Sequence, residues 1–336
     1  MAIDPHAHII PESWIEDIRA GRLGSSVSIV PGDGTEQLVT KFTVLGQERT
    51  NAYPLPRETY DLEMRLQDMK RMGVERQILS IVPVLMFHSL DPGLSLDIAV
   101  SLNDALCALV QKHPGDFSCM ATGPLQDAPA AARELERAVK KGHVGVQIGA
   151  NVAGRNLDDP SLDPFWAKAA ELDVPIFIHP AAARGFEDRL QKYYLSNFIG
   201  NPLDTTVSVA CLIFGGVLDR FPSLKFLLSH TGGFTPWIRG RWQHGYGERK
   251  EPKLHGAKDP EQYFQKFFYY DTIIHNADCL EFAVKTLGAE NVVYGTDYPF
   301  DMGDLCPARE IPGLSRMAPA EQERILSGNA RSLYKL

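Results

Sequence analysis

Eight short apolar runs, separated by longer amphipathic stretches, constrain this chain more than any other feature. They cover residues 2–4, 77–82, 117–122, 144–148, 175–179, 225–230, 267–272 and 292–297. Helical patterns lie between most of them. Residues 61–72 carry Leu62, Met64, Leu66, Met69 and Met72, and 130–141 are rich in Ala, Glu, Arg and Lys. Residues 164–172, 205–220 and 277–287 continue the series, and 319–333 close it with a terminal helix. Strands alternating with helices predict parallel βαβ units. Eight such units can close into an α/β (β/α)8 barrel of the TIM type, with its active site at the C-terminal ends of the strands. The competing open doubly wound sheet lacks its marker, since no GxGxxG follows the first run and no GxxxxGK[ST] occurs anywhere.

Between the first two runs lies a Gly-, Thr- and Pro-rich segment, about 11–60, with alternating stretches at 26–30 and 38–44. It reads as an inserted β-hairpin or flap beside the barrel mouth, so the whole chain, 1–336, is expected to be one domain. A composition of 44% apolar residues is enough for a large core. The net charge of −8 gives no electrostatic reason to seek nucleic acid or an anionic membrane. An anionic substrate must then be drawn by local positive charge. The opening MAIDPHAHII has no basic start and no long apolar stretch, so no secretory leader is expected, and no run of about 18 apolar residues predicts a membrane span. The five cysteines, Cys107, Cys119, Cys211, Cys279 and Cys306, form no CxxC pair, which suits free thiols in the cytoplasm.

The polar residues that close these runs carry the chemistry. His6 and His8 stand two apart on an extended segment, so both face one side. His179 closes 174–178, His230 closes 224–229 and Asp297 closes 292–296. Any one of them alone fits a hydrogen-bonded core residue; four strands that each end in a metal-competent side chain point to a shared ion. Three or four neutral imidazoles and a carboxylate suit zinc, with iron, cobalt or manganese as alternatives, and leave room for water or substrate. His88 reads as a core or loop histidine or as a pocket wall, and Tyr193, Tyr194 and Phe198 as core or interface.

The chain resembles the amidohydrolase superfamily, and within it the branch of non-oxidative decarboxylases typified by the α-amino-β-carboxymuconate-ε-semialdehyde enzyme. The segments that carry the resemblance are IDPHAHIIPE, RLQDMKRMGVERQILSIVP, GHVGVQIGANVAGRNLDDPSLDPFW, VPIFIHP, FPSLKFLLSHTGG, GRW, YGTDYPFDMGD and ILSGNARSLYKL. The resemblance implies that His6, His8, His179 and Asp297 are metal ligands and that His230 is a general acid or base beside the metal's water. Binuclear relatives bridge their metals with a lysine on strand four; this chain has Val146-Gln147-Ile148-Gly149 there, which implies one divalent metal per subunit. Arg241 matches the arginine that grips a substrate carboxylate in the neighbouring subunit's site, which implies a homodimer. Arg49 is the candidate for a second such arginine, with Arg57 close by. Two departures lie near the pocket: Thr231-Gly232-Gly233 after His230, and Ala181-Ala182-Ala183 after Pro180.

The expected activity is a metal-dependent non-oxidative decarboxylase acting on a small carboxylated aromatic or a muconate-type ring-cleavage product. The rivals are a hydrolase of a lactone or amide on the same centre, a hydratase, and a non-catalytic binding barrel. The complete ligand set and the paired arginines argue against the last.

Overall fold

The computed structural model describes residues 1–22, 24–44, 47–181 and 185–336, with all their side chains except those of 42–44, 47–49, 51 and 187. In chain order the elements are β1 (Ala2–Ile9), α1 (Glu12–Arg19), β2 (Val27–Pro31), β3 (Glu36–Val44), β4 (Gln47–Pro54), α2 (Leu62–Met72), β5 (Val74–Ile81), α3 (Pro92–Lys112), β6 (Phe117–Ala121), α4 (Ala128–Lys140), β7 (Gly145–Gly149) and α5 (Asp163–Leu172). Then come β8 (Ile176–His179), α6 (Asn201–Phe214), α7 (Val217–Arg220), β9 (Phe226–Leu228), α8 (Thr235–Glu248), α9 (Phe264–Phe267), β10 (Phe268–Asp271), α10 (Ala277–Leu287), β11 (Val292–Val293), α11 (Pro319–Glu323) and α12 (Asn329–Tyr334).

Eight strands pair in the order β1-β5-β6-β7-β8-β9-β10-β11, all parallel. The chain beyond β11 returns to β1: Asp297 N–H donates to His6 O at 2.8 Å and His8 N–H to Tyr298 O at 2.7 Å, which closes the barrel. The insert forms a separate antiparallel sheet, β2-β3-β4, preceded by α1. The structure therefore has the expected (β/α)8 barrel and the expected inserted hairpin, extended by one strand into a three-stranded sheet.

Side chains alternate across each strand. Ile3, Ile78, Met120, Phe177, Leu227 and Val293 fill the barrel interior, and Ala330, Leu333 and Tyr334 of α12 close its base. The outward faces pack against the helices, as Val146, Ile148, Ile176, Ile178, Phe226 and Leu228 do. Helices α1, α3 and α8 lie outside the helical patterns of the sequence. By length and composition α3 could cross a membrane, but its Ser95, Ile98, Ala99, Leu102, Asn103, Leu106 and Cys107 are buried in this fold. Aspartates start several of these helices. Asp61 accepts from Met64 N–H, Asp91 from Gly93 and Leu94 N–H, and Asp127 from Ala130 N–H, satisfying amides that have no partner within the helix.

One buried cation ties α2 to the strand that carries the first histidines. Arg65 is fully buried; it donates to Gln77 Oε1 at 2.9 Å and to His8 O at 2.5 Å, and lies over the Tyr298 ring at 4.5 Å. Gln77 donates in turn to Asp4 Oδ2 at 3.0 Å, and Asp4 also accepts from Thr296 Oγ1 at 2.6 Å. This network spans β1, β5 and the approach to Asp297. Removing its only guanidinium strands several buried acceptors, so Arg65→Ala should lower unfolding free energy by about 3–5 kcal/mol in a urea titration. A loss below about 1 kcal/mol would show that the network is dispensable.

Candidate metal centre

The side chains that sequence reasoning singled out at the strand ends converge. His6 and His8 project from β1, His179 ends β8, His230 follows β9 and Asp297 follows β11. The ring centroids of His6, His8 and His179 lie 4.8–5.1 Å apart, and His230 is 5.2 Å from His179. Asp297 Oδ1 lies 3.2 Å from His6 Nε2, 3.2 Å from His8 Nε2 and 3.8 Å from His179 Nε2, while its Oδ2 is 3.4 Å from His230 Nε2.

The outward-facing ring nitrogens are already committed. His6 Nδ1–H donates to Asp271 Oδ2 at 2.6 Å, His8 Nδ1–H to Ile81 O at 3.0 Å and His179 Nδ1–H to Pro180 O at 2.8 Å. These acceptors fix each ring and direct its Nε2 inward. The inward atoms, Nε2 of His6, His8 and His179 together with Asp297 Oδ1, are buried and have no hydrogen-bond partner. Buried polar atoms are rarely left unpaired, so this donor set fits a divalent cation. A mutually close set, with ligand atoms within 4.8 Å of one another, is formed by His6, His179, His230 and Asp297. His8 lies outside that set but has the same unpartnered, inward Nε2.

Electrostatics agree with a cation-seeking site. Burial disfavours the charged form of Asp297, but the charge of His6 and the close approach of the other histidines outweigh that and hold its carboxyl well below the usual range. Burial likewise opposes charge on His6, yet Asp297 and Asp271 raise its pKa to about 10. Burial lowers the pKa values of His8 and His179, leaving them neutral, the form that binds metal.

Asp271, at the end of β10, belongs to the site although the sequence reading passed it over. Besides His6, its carboxylate accepts from His230 N–H at 2.8 Å, Thr231 N–H at 2.7 Å and Ile273 N–H at 3.1 Å. His230 and Thr231 have φ of 53° and 54°, in the left-handed region that non-glycine residues seldom occupy. Asp271 holds that strained turn and thereby points His230 at Asp297. Gly233 completes it, because a Cβ there would come within 2.1 Å of Pro202 O. The departure from a glycine run at Thr231 is thus accommodated by the hydrogen bonds of Asp271. The signal for Asp271 was present, as another acidic residue closing an apolar run.

Arg241 lies exposed on α8 and makes no ion pair among the described residues. Its neighbour Arg239 is instead anchored to Glu261 and the Thr286 carbonyl. Arg49 sits on β4 opposite Phe42 of β3, and its side chain is outside the described residues, as are Ala182 and Ala183. Arg57 is exposed and pairs with Asp61 at 2.5 Å.

A parallel eight-stranded barrel with a histidine–aspartate cluster at its C-terminal rim defines a mononuclear metal-dependent barrel enzyme. The particular family follows from comparison: the amidohydrolase profile matches residues 3–336, and the chain belongs to that family. It is similar to the 2-amino-3-carboxymuconate-6-semialdehyde decarboxylase of Dictyostelium discoideum, 34% identical over 332 residues and covering 98% of this chain and 90% of that protein. A solved 2,6-dihydroxybenzoate decarboxylase in complex with 2,6-dihydroxybenzoate is 27% identical with a TM-score of 0.80, covering 100% of this chain and 99% of that one. A dihydroxybenzoic acid decarboxylase from a Polaromonas species, solved with manganese and the inhibitor 2-nitroresorcinol, is 25% identical with a TM-score of 0.78, covering 100% and 97%.

If Asp271 orients His6, Asp271→Asn should weaken metal binding about 10–100-fold in a chelator competition, the usual cost of losing a hydrogen-bond partner behind a ligand. Unchanged affinity would remove Asp271 from the centre.

Proposed function

We propose that this chain is a metal-dependent non-oxidative decarboxylase of a small carboxylated aromatic or ring-cleavage acid. The convergence of unpartnered inward atoms from His6, His8, His179 and Asp297 carries the reading, and the decarboxylase of Dictyostelium, similar along almost the whole chain, supports it. We assign His6, His8, His179 and Asp297 as ligands and His230 as the proton-handling group, because His230 Nε2 faces the other carboxylate oxygen. Zinc suits this donor set; manganese is the alternative, being the metal bound in the Polaromonas enzyme. We take 1–336 as one domain, active as a homodimer in the cytoplasm, with its five cysteines free.

A divalent ion held here would act as a Lewis acid, neutralising a substrate oxygen and easing ionisation of bound water. His230 transfers a proton to the carbon that bears the carboxylate. The bond to the carboxylate then breaks, its electron pair returns to the carbon skeleton, and CO2 leaves. Asp297 Oδ2, 3.4 Å from His230 Nε2, orients the imidazole for that transfer. The rival hydrolase would release acid without CO2, so the deciding assay measures both products from carboxylated aromatics and ring-cleavage acids. Acid release without CO2 would overturn the proposal.

His230→Ala should retain metal and lose about 10²–10⁴-fold in kcat, whereas His8→Ala should lose metal. Metal loss from His230→Ala with retention in His8→Ala would exchange their roles. Chelation should abolish CO2 release and leave the barrel folded, because its core is apolar and independent of the ion.

Arg241 is free to serve a partner's pocket, where a guanidinium can grip a carboxylate through two parallel hydrogen bonds. Arg241→Ala should raise KM strongly with metal content intact. Mixing it with Asp297→Ala should restore part of the activity, since a mixed dimer rebuilds one intact site. No rescue after verified subunit exchange would place Arg241 in its own chain's site or outside any site.

A further inference from the structure

The side chains at the metal centre come from β1, β8, β10 and the segments after β9 and β11, leaving the arc β5, β6 and β7 without a ligand. That arc has a different property. Thr122 Oγ1 and both Gln147 Oε1 and Nε2 are buried without a hydrogen-bond partner. Thr122 is 4% exposed and Gln147 1%.

The strand registers bring these groups together. Ala121 pairs with Val146, so the next residues, Thr122 and Gln147, stand side by side. Gln147 pairs with Phe177, which belongs to the barrel interior and has its ring 4.8 Å from that of His6. Gln147 therefore faces inward in the layer of Phe177, two residues before the level of His179. Two residues on, Gly149 pairs with His179 and donates its N–H to His88 Nε2 at 3.3 Å. A Cβ on Gly149 would stand 3.0 Å from His88 Cδ2, so glycine allows the imidazole to lie across the end of β7. Because Nε2 accepts, the ring proton sits on Nδ1, and burial keeps the ring neutral by pushing its pKa down to about 4. Gln126 meets the ring from its other side, so His88 braces the end of β7 between Gly149 and Gln126. Asn103 fixes the backbone of Thr122 from behind, donating to its carbonyl at 3.0 Å and accepting from its N–H at 2.9 Å.

The arc thus presents donors and acceptors without any net charge. We propose that Thr122 and Gln147 form a subsite for an uncharged oxygen on the substrate, a hydroxyl or carbonyl, separate from its carboxylate. The inference rests on the decarboxylase reading above and adds the wall that reads the rest of the molecule. Unpaired buried amides and hydroxyls are a standing cost to a fold, and they tend to persist where function keeps them. A site built to hydrogen-bond a hydroxyl also rejects the analogue that lacks it.

The test uses metal-loaded protein and calorimetry with two probes, 2,6-dihydroxybenzoate and benzoate. The wild type should prefer the dihydroxy acid. Gln147→Met and Thr122→Val should each cut that preference about five- to tenfold, the effect of losing one hydrogen bond, with metal content unchanged. Gln147→Met should also raise the melting temperature of the ligand-free protein, because it removes an unpaired amide at similar volume. An unchanged preference in both variants would overturn the subsite and leave hydroxyl recognition to the metal. A lower melting temperature with unchanged preference would make Gln147 structural and overturn it likewise. Binding of neither acid to the wild type would defeat the aromatic-acid reading itself, and the subsite with it.

Discussion

Three ring N–H groups, those of His6, His8 and His179, are held on Asp271, the Ile81 carbonyl and the Pro180 carbonyl, and the centre depends on these bonds. Each fixes a tautomer and aims the opposite nitrogen inward. Without them, buried imidazoles could rotate to satisfy themselves, and no shared point would remain for an ion. The barrel provides the acceptors because its strands end together at one rim. Ile81 ends β5 beside β1, Pro180 follows β8, and Asp271 ends β10.

Holding several like groups in low dielectric is costly unless opposite charge is close. Asp297 provides it at the centre and Asp271 behind His6, which is why His6 is the member driven toward protonation. That proton and a metal compete for one lone pair, so metal binding at His6 displaces a proton. The left-handed backbone at His230, Thr231 and Asp297 is strain concentrated where side chains must be aimed, and fixed hydrogen bonds hold it.

The barrel, its insert and the metal-competent residues were legible because each rests on a local rule: period-two strands, helical spacing, and polar residues at the ends of buried runs. What escaped rests on contacts distant in sequence. Asp271 gains its meaning only when β10 is placed near β1, 265 residues away. Arg65 looks like an ordinary charge on an amphipathic helix until Gln77 and the His8 carbonyl surround it. Helix α8 was hidden because Gly240, Gly245 and Gly247 dilute its pattern, and α3 because its apolar residues run around much of its circumference. The arginine roles came from resemblance alone. Arg241 is exposed and makes no ion pair among the described residues, so no local contact marks its role.

The two oxygens of Asp297 face different tasks. Oδ1 is turned toward the nitrogens of His6, His8 and His179, and Oδ2 toward His230. One carboxylate therefore joins the inward nitrogens of three imidazoles to the ring of His230, so a change at Asp297 disturbs both sets of contacts at once.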